Sequence, residues 1–454
     1  MKKHFWGVLL CMLLTVGTSW AEDIKVACVG NSITYGANIV NREKNSYPAQ
    51  LQALLGEGYE VRNFGINGTT ALHKGDYPYI KTDAYKQSLA FAPNVVFIKL
   101  GTNDSKPQNI KYKDEFESNY IQLIRDYKAL PSHPRVILVG PLRCFLGEDS
   151  SIREDVIQEE LAPVIRGIVA KENVEYVDMH DVVCTEFNAA LMPDRLHPSS
   201  LGAGKMAKKL AIYLKPELEF VNPCTYAIPG NEYRSAAGWV QGADWHKVSE
   251  EITEILSQQK LDILFLGNSI TQNMGGNRKL VTYKPGKAGK AAFDKAFKGM
   301  KWESAGISGD RTEHLIWRLR NGNYGACKAK YAVITIGVNN IGAGHCPADI
   351  AEGICKVVEE AKRELPNTKL ILMGLLPTGY EKDHPKRVKC DAIHAILAQK
   401  EWGDVVYVNP TSWFVNDDGT LKKECYVGDC LHLNGNGYVV WGEHLKPYLT
   451  KKKK

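Results

Sequence analysis

After residue 21 the sequence contains no apolar run approaching the ~18 residues that a membrane-crossing helix requires. That excludes a membrane span from the body of the chain. There is no large excess of either charge: 57 Lys and Arg stand against 51 Asp and Glu, a formal +6. So close a balance gives no basis for binding nucleic acid or another polyanion. No paired CxxC motif and no HExxH occurs, so the ligand spacings of a dedicated zinc site are lacking. Low-complexity sequence is confined to Lys451–Lys454, a short charged end that reads as solvated. The eleven cysteines form no compact framework. Cys425 with Cys430, and Cys144 with Cys184, are pairs that spacing allows without deciding.

What is present begins with a leader. Lys2 and Lys3 precede an apolar stretch over residues 5–16, and Ser19-Trp20-Ala21 has small residues at the −3 and −1 positions of a cleavage site. Residues 1–21 are expected to be a signal peptide cut after Ala21, which predicts an exported protein, periplasmic or extracellular. Cys11 lies mid-stretch behind Leu10, too large a residue to precede a lipidated cysteine. Loss of Lys2 and Lys3 lowers the formal charge from +6 to +4. The remainder has room for two domains of roughly 200 residues each.

One stretch organises the rest. Gly30-Asn31-Ser32-Ile33-Thr34 follows an apolar run over residues 24–29, and Gly267-Asn268-Ser269-Ile270-Thr271 follows another over residues 261–266. A strand ending in Gly-Asn-Ser leaves a serine hydroxyl at the carboxyl edge of a sheet, where open α/β sheets bind ligands. In the first half, strands are expected near residues 59–62, 95–100, 136–139 and 174–177. Helices are expected over residues 47–55, 115–128, 155–170 (which Pro163 is placed to divide) and 200–214. In the second half a helix near residues 248–257 precedes the serine strand, and further strands are expected near residues 333–336 and 370–373. Strands alternating with helices argue for a parallel sheet covered on both faces. The landmarks keep register: Ser269 follows Ser32 by 237 positions, Gly309 follows Gly68 by 241, Asn339 follows Asn103 by 236 and His432 follows His197 by 235. Such register marks a tandem duplication. The expected domains are residues 22–218 and 244–450, joined by a Pro/Gly-containing linker over residues 219–243.

Each half carries the parts of a nucleophilic site. Ser32 needs a base to remove its proton, and His197 is the candidate. Asp194, three residues earlier, is near enough in one loop to fix the imidazole tautomer. The backbone N–H groups of Ser32 and Gly68 and the side-chain amide of Asn103 are candidate donors to an oxyanion. Ser269, Asp429, His432, Gly309 and Asn339 offer the same roles in the second half. Singly these features are commonplace turns; their joint order, twice, is what points to an esterase. Trp317 is expected in the core, with stacking on a sugar the less favoured role; Tyr35 is a second stacking candidate. Tyr77-Pro78-Tyr79 reads as a plain turn before a ligand rim, and Arg195 and Arg311 as solvated or ion-paired before contacts to an acidic substrate.

On these blocks the chain resembles the SGNH (GDSL-type) esterase superfamily, whose four blocks contribute Ser, Gly, Asn and His in this order. The second half, with Gly306-Ile307-Ser308-Gly309-Asp310-Arg311-Thr312 followed by Glu313-His314-Leu315-Ile316-Trp317-Arg318-Leu319, is similar to the platelet-activating-factor acetylhydrolase catalytic-subunit branch. The first half looks more like esterase domains of bacterial carbohydrate-degrading systems. The resemblance implies two tandem three-layer α/β/α (flavodoxin-like) domains with parallel five-stranded sheets, and no metal or organic cofactor. It implies a secreted serine esterase acting through a Ser-His-Asp acyl-enzyme in each domain, with acetylated carbohydrate as the expected substrate. The alternatives are an acetyl-lipid or general carboxylesterase, or one half serving as a non-catalytic glycan-binding partner. Three departures stand out: Asn31 and Asn268 where the family has Asp, Val338 against Thr102, and Asn340 against Asp104.

Overall fold

Strand β1 (Ile24–Gly30) ends at the first Gly-Asn-Ser turn, and every residue from Val26 to Gly30 is buried. In the computed structural model, which describes residues 22–147, 149–219, 221–230, 238–283 and 289–449, β1 lies between β2 (Tyr59–Gly65) and β3 (Val95–Lys99). β4 (Arg135–Val139) and β5 (Glu175–Val177) complete a five-stranded sheet of order 2-1-3-4-5, all pairs parallel. The second half repeats the plan with β6 (Ile263–Gly267), β7 (Trp302–Gly306), β8 (Tyr331–Thr335), β9 (Lys369–Met373) and β10 (Val406–Val408), in the order 7-6-8-9-10 and again all parallel. The chain therefore comprises two tandem three-layer α/β/α domains. The signal-peptide reading, Cys11 and Lys451–Lys454 lie outside the described residues.

The strands read as continuous apolar runs because both faces are covered. On one face of the first sheet Val96 and Ile98 pack with Phe116, Tyr120, Leu123 and Ile165 from the helices Phe116–Lys128 and Ala162–Glu172. On the other, Val95 and Phe97 meet Leu51, Met206 and Leu210 from Tyr47–Leu55 and Ser200–Leu214. Pro163 divides its helical run: the ladder widens over Ile157–Leu161, where Ala162 N–H reaches back five residues to the Ile157 carbonyl. A proline at the head of the following helix offers no N–H to restore the four-residue spacing.

From Asn222 to Gly230 the chain already packs on the second half. Cys224 is fully buried in that core, the Asn222 amide donates to the Asp349 carbonyl, and Ile228 N–H to that of Glu313. All ten described cysteines are free thiols, including Cys144, Cys184, Cys425 and Cys430. No described helix is long and apolar enough to cross a membrane.

Both sheets point their carboxyl edges to the same side of the molecule. Trp245, at the head of the helix leading down to β6, stands beside Asn38 and Pro193 near the carboxyl edge of the first sheet. The helix Thr312–Asn321 runs away from the Ser269 turn, and Trp317 and Asn321 near its end share a groove with Asp23 and Tyr59, at the amino-terminal edge of the first sheet.

Candidate active site

Gly30 and Gly267 make the two Gly-Asn-Ser turns possible. A Cβ at Gly30 would lie 2.6 Å from the Lys99 carbonyl oxygen and 2.3 Å from Thr34 Oγ1; at Gly267 the matching distances, to the Thr335 carbonyl and Thr271 Oγ1, are 2.4 and 2.2 Å. No side chain fits. Asn31 and Asn268, the family's aspartate positions, cap the short helices that begin at the serines, accepting from Ile33 N–H at 3.1 Å and Ile270 N–H at 3.0 Å. An amide oxygen performs this capping as a carboxylate would.

Ser32 Oγ lies 2.9 Å from His197 Nε2, and His197 Nδ1 lies 2.7 Å from Asp194 Oδ2. In the second half Ser269 Oγ is 2.8 Å from His432 Nε2, and His432 Nδ1 is 2.7 Å from Asp429 Oδ2. Burial alone would raise the Asp194 carboxyl, but the backbone N–H groups of His197 and Leu196 and the imidazole together hold it below its ordinary range. Asp429 is held down in the same way, burial again opposing, by His432 and the Leu431 N–H. Both carboxylates are thus ionised wherever an imidazole works as a base. Between Asp and His stands a residue in the left-handed region, Arg195 with φ 68° and Cys430 with φ 49°. This conformation turns each histidine back over its aspartate, at a strain that non-glycine residues rarely carry.

The glycine and asparagine blocks close on the same point. Gly68 has φ 80° and Gly309 φ 87°, a conformation that suits a residue without a Cβ. Asn103 Nδ2 donates to the Thr69 carbonyl at 3.0 Å, and Asn339 Nδ2 to the Asp310 carbonyl at 2.8 Å. An amide nitrogen carries two hydrogens, so one fixes the side chain to the glycine loop and the second remains for a ligand. The Ser32 and Ser269 N–H groups open their helices, where no intrahelical carbonyl can receive them.

The GDSL-like Lipase/Acylhydrolase family matches residues 28–205 and 265–440. The chain belongs to this family. Its lipases and acylhydrolases are carboxylic ester hydrolases, and each of the two matched regions holds one complete serine, glycine, asparagine and histidine set. An acetylxylan esterase of Xylanibacter ruminicola is 39% identical over 211 residues, covering 43% of this chain and 44% of that protein, so the chain spans less than half of that relative's length. The human platelet-activating factor acetylhydrolase IB subunit alpha2 is 30% identical over 208 residues, covering 45% of this chain and 83% of that protein. A solved carbohydrate acetylesterase from Sinorhizobium meliloti is 20% identical with a TM-score of 0.35, covering 42% of this chain and 98% of that one.

Several neighbours of the family site carry no sequence signal. Asn38 donates from Nδ2 to Asp194 Oδ2 at 2.9 Å, a contact across 156 positions. Asp310 takes Trp245 Nε1–H at 2.6 Å and the Arg318 guanidinium at 2.7 Å, all buried. Tyr77, 47% exposed, stands over the Gly68 turn, while Tyr79 is buried with its hydroxyl on the Phe64 carbonyl. Tyr35 has its ring face covered by the Arg42 guanidinium at 3.9 Å, so that face does not stack on a ligand. Trp317 packs against Trp245 and His246, Arg195 lies over the Phe187 ring, and Arg311 pairs with Glu313.

Proposed function

We propose that this chain is an exported serine esterase with two active sites, one in residues 22–218 and one in residues 244–450, that removes O-acetyl groups from carbohydrate. The observation that carries the reading is the hydrogen-bonded Ser-His-Asp line in both halves, 2.9 and 2.7 Å in the first and 2.8 and 2.7 Å in the second. In each site the imidazole takes the serine proton as Oγ attacks the acetyl carbonyl. The aspartate holds Nδ1–H and stabilises the imidazolium that forms. The oxyanion is received by the serine and glycine N–H groups and the asparagine amide: Ser32, Gly68 and Asn103, or Ser269, Gly309 and Asn339. The imidazolium then protonates the departing sugar oxygen, leaving an acetyl-serine. Water, deprotonated by the same histidine, releases acetate and restores the hydroxyl. The carbohydrate preference draws on the acetylxylan esterase to which 211 residues of the chain are 39% identical.

The test is hydrolysis of a chromogenic acetyl ester by wild type, Ser32→Ala, Ser269→Ala and the double variant, followed by acetylated xylan fragments and an acetylated lipid. Partial loss in each single variant and full loss in the double is expected. Complete loss in one single variant would overturn the two-site reading, undiminished activity in the double variant the mechanism, and preference for the lipid the substrate class.

A further inference from the structure

We propose that the cleft between the two halves, beside Ser32, is a saccharide subsite: it holds sugar units flanking the acetylated one at the first active site, using two residues of the second half. The proposal rests on the carbohydrate reading above and adds where the chain is held and by which groups.

The cleft has a volume of about 250 Å³, room for a sugar ring. One wall comes from the first half, with Asn38, Ile39, Val40 and Pro193; the other from the second, with Asp244 and Trp245. Its position follows from Asn38, which lines the cleft and donates to Asp194 of the first triad. Pro193 is the neighbour of that aspartate in sequence. The cleft therefore lies on the aspartate side of the first triad, where sugar units flanking one acetylated at Ser32 would be held.

The chemistry of the walls selects the ligand. Asp244 is 2% exposed; its Oδ1 caps the helix at Lys247 N–H, and its Oδ2 has no hydrogen-bond partner among the described residues. Asn45, 4% exposed and also on the wall, donates from Nδ2 to the Val40 carbonyl, and its Oδ1 has no partner among the described residues. A buried acceptor left without a donor is destabilising, so two in one cleft select a ligand that brings hydroxyl donors. The Ile39, Val40 and Pro193 side chains, backed by the buried Trp245 ring, give an apolar surface for the C–H face of a sugar. Acceptors beside an apolar surface match a neutral saccharide, and none of the described residues lining the cleft is cationic, which disfavours an anion. Trp245 also donates to Asp310, beside Gly309 of the second site. The tandem arrangement thus has a use beyond doubling the number of nucleophiles, since the second half completes the glycan site of the first.

The test reads the first site alone, in a Ser269→Ala background. The quantity measured is the ratio of kcat/KM for an acetylated xylo-oligosaccharide to kcat/KM for a chromogenic acetyl ester. Asp244→Ser keeps a helix-capping oxygen and deletes the unpartnered one. Val40→Trp, at a residue 41% exposed, fills the cleft from its mouth with little risk to folding. Each is expected to lower the ratio about tenfold. With Ser32→Ala added to prevent turnover, calorimetry should show deacetylated xylo-oligosaccharide binding that Asp244→Ser weakens to the same extent. A ratio within twofold of the parent in both variants, with the oligosaccharide still hydrolysed, overturns the subsite and leaves the carbohydrate reading intact. Cleavage of the chromogenic ester with no acetylated glycan hydrolysed overturns both.

Discussion

Asn340 donates from Nδ2 to Glu313 Oε2 at 2.9 Å, and this contact accounts for the amide that the second half has where the first keeps Asp104. Both residues hold the glycine loop by a backbone N–H: Asn340 Oδ1 accepts from Thr312 at 3.1 Å and Asp104 Oδ1 from Leu72 at 2.9 Å. The residue after the held N–H is His73 in the first half and Glu313 in the second. Glu313 is 2% exposed; burial opposes its charge, but His314 and Arg311 hold its carboxyl below the ordinary range. A carboxylate at position 340 would face it at hydrogen-bond distance. Asn340→Asp is therefore expected to cost about 3 kcal/mol at pH 7, and less at pH 5, where the pair shares a proton. Thermal unfolding at the two pH values checks it.

The reverse exchange, Asp104→Asn, has the opposite character. Burial raises the Asp104 carboxyl to about 6 against the backbone N–H groups that favour its charge. A carboxyl whose folded value is raised contributes stability below its ordinary value of 3.8 and loses that contribution as pH rises through 6. At neutral pH the amide gives up nothing of that kind and keeps the Leu72 contact. Asp104→Asn should stay within about 1 kcal/mol of wild type at pH 7 and fall behind it as pH drops from 6 to 4. A denaturant series across that range measures the difference.

Lys99 closes β3 opposite Gly30 in the register, fully buried, with no hydrogen-bond partner for Nζ among the described residues. Burial depresses its ammonium to about 7 from 10.5. The unfolded chain is charged below 10.5 while the folded chain resists the proton until about 7, so stability falls across that interval and levels off below it. The second half has Thr335 at this place, opposite Gly267. Lys99→Met fills a similar volume without the amine. It should stabilise by about 1–3 kcal/mol at pH 7 and by progressively less as pH approaches 10.5, read as a shift in urea midpoint.

Sequence patterns made the architecture legible, because strands buried on both faces read as continuous apolar runs and the glycines that end them carry the turn. The ten candidate site residues were legible for a related reason: each lies at a strand end or in a loop, and their order repeats in the two halves. What stayed hidden depends on contacts between distant positions. Nothing near Asn38 points to Asp194, 156 positions away. Arg195 and Cys430 are not glycine, so their left-handed backbones leave no compositional trace. The stretch from Asn222 to Gly230 looks like a linker by its Pro and Gly content, yet Cys224 is fully buried, since a loop can be held by a neighbouring core without a periodic pattern of its own.

Asp194 receives four donors: Leu196 and His197 N–H on Oδ1, and His197 Nδ1–H and the Asn38 amide on Oδ2. Asp194→Asn puts an amide into this set. If its NH₂ faces the imidazole, the ring must accept at Nδ1 and carry its proton on Nε2, where it can no longer take the serine proton. In a Ser269→Ala background, kcat for a small acetyl ester should fall roughly 10³- to 10⁴-fold, as when the orienting carboxylate of such a triad becomes an amide. KM should move little, because both Asp194 oxygens are taken up by these protein donors. A fall below tenfold would mean that His197 keeps its tautomer without Asp194.

His246 lies at the junction of the two halves, edge-on to Trp245 and Trp317, with neither ring nitrogen hydrogen-bonded among the described residues. Burial, with a smaller contribution from the Lys44 ammonium of the first half, lowers it to about 3 from 6.5. It is therefore neutral in the folded protein at any pH at which the enzyme would work. Below 6.5 the unfolded chain takes up a proton that the folded chain refuses. The stability this group contributes is complete above 6.5 and drains as pH falls toward 3, at up to about 1.4 kcal/mol per pH unit. His246→Phe keeps an aromatic ring between the two tryptophans and removes the titration. The variant should match wild type within about 1 kcal/mol at pH 7.5 and overtake it by pH 4.5, and equal slopes of unfolding free energy against pH would show that His246 is already protonated in the folded state.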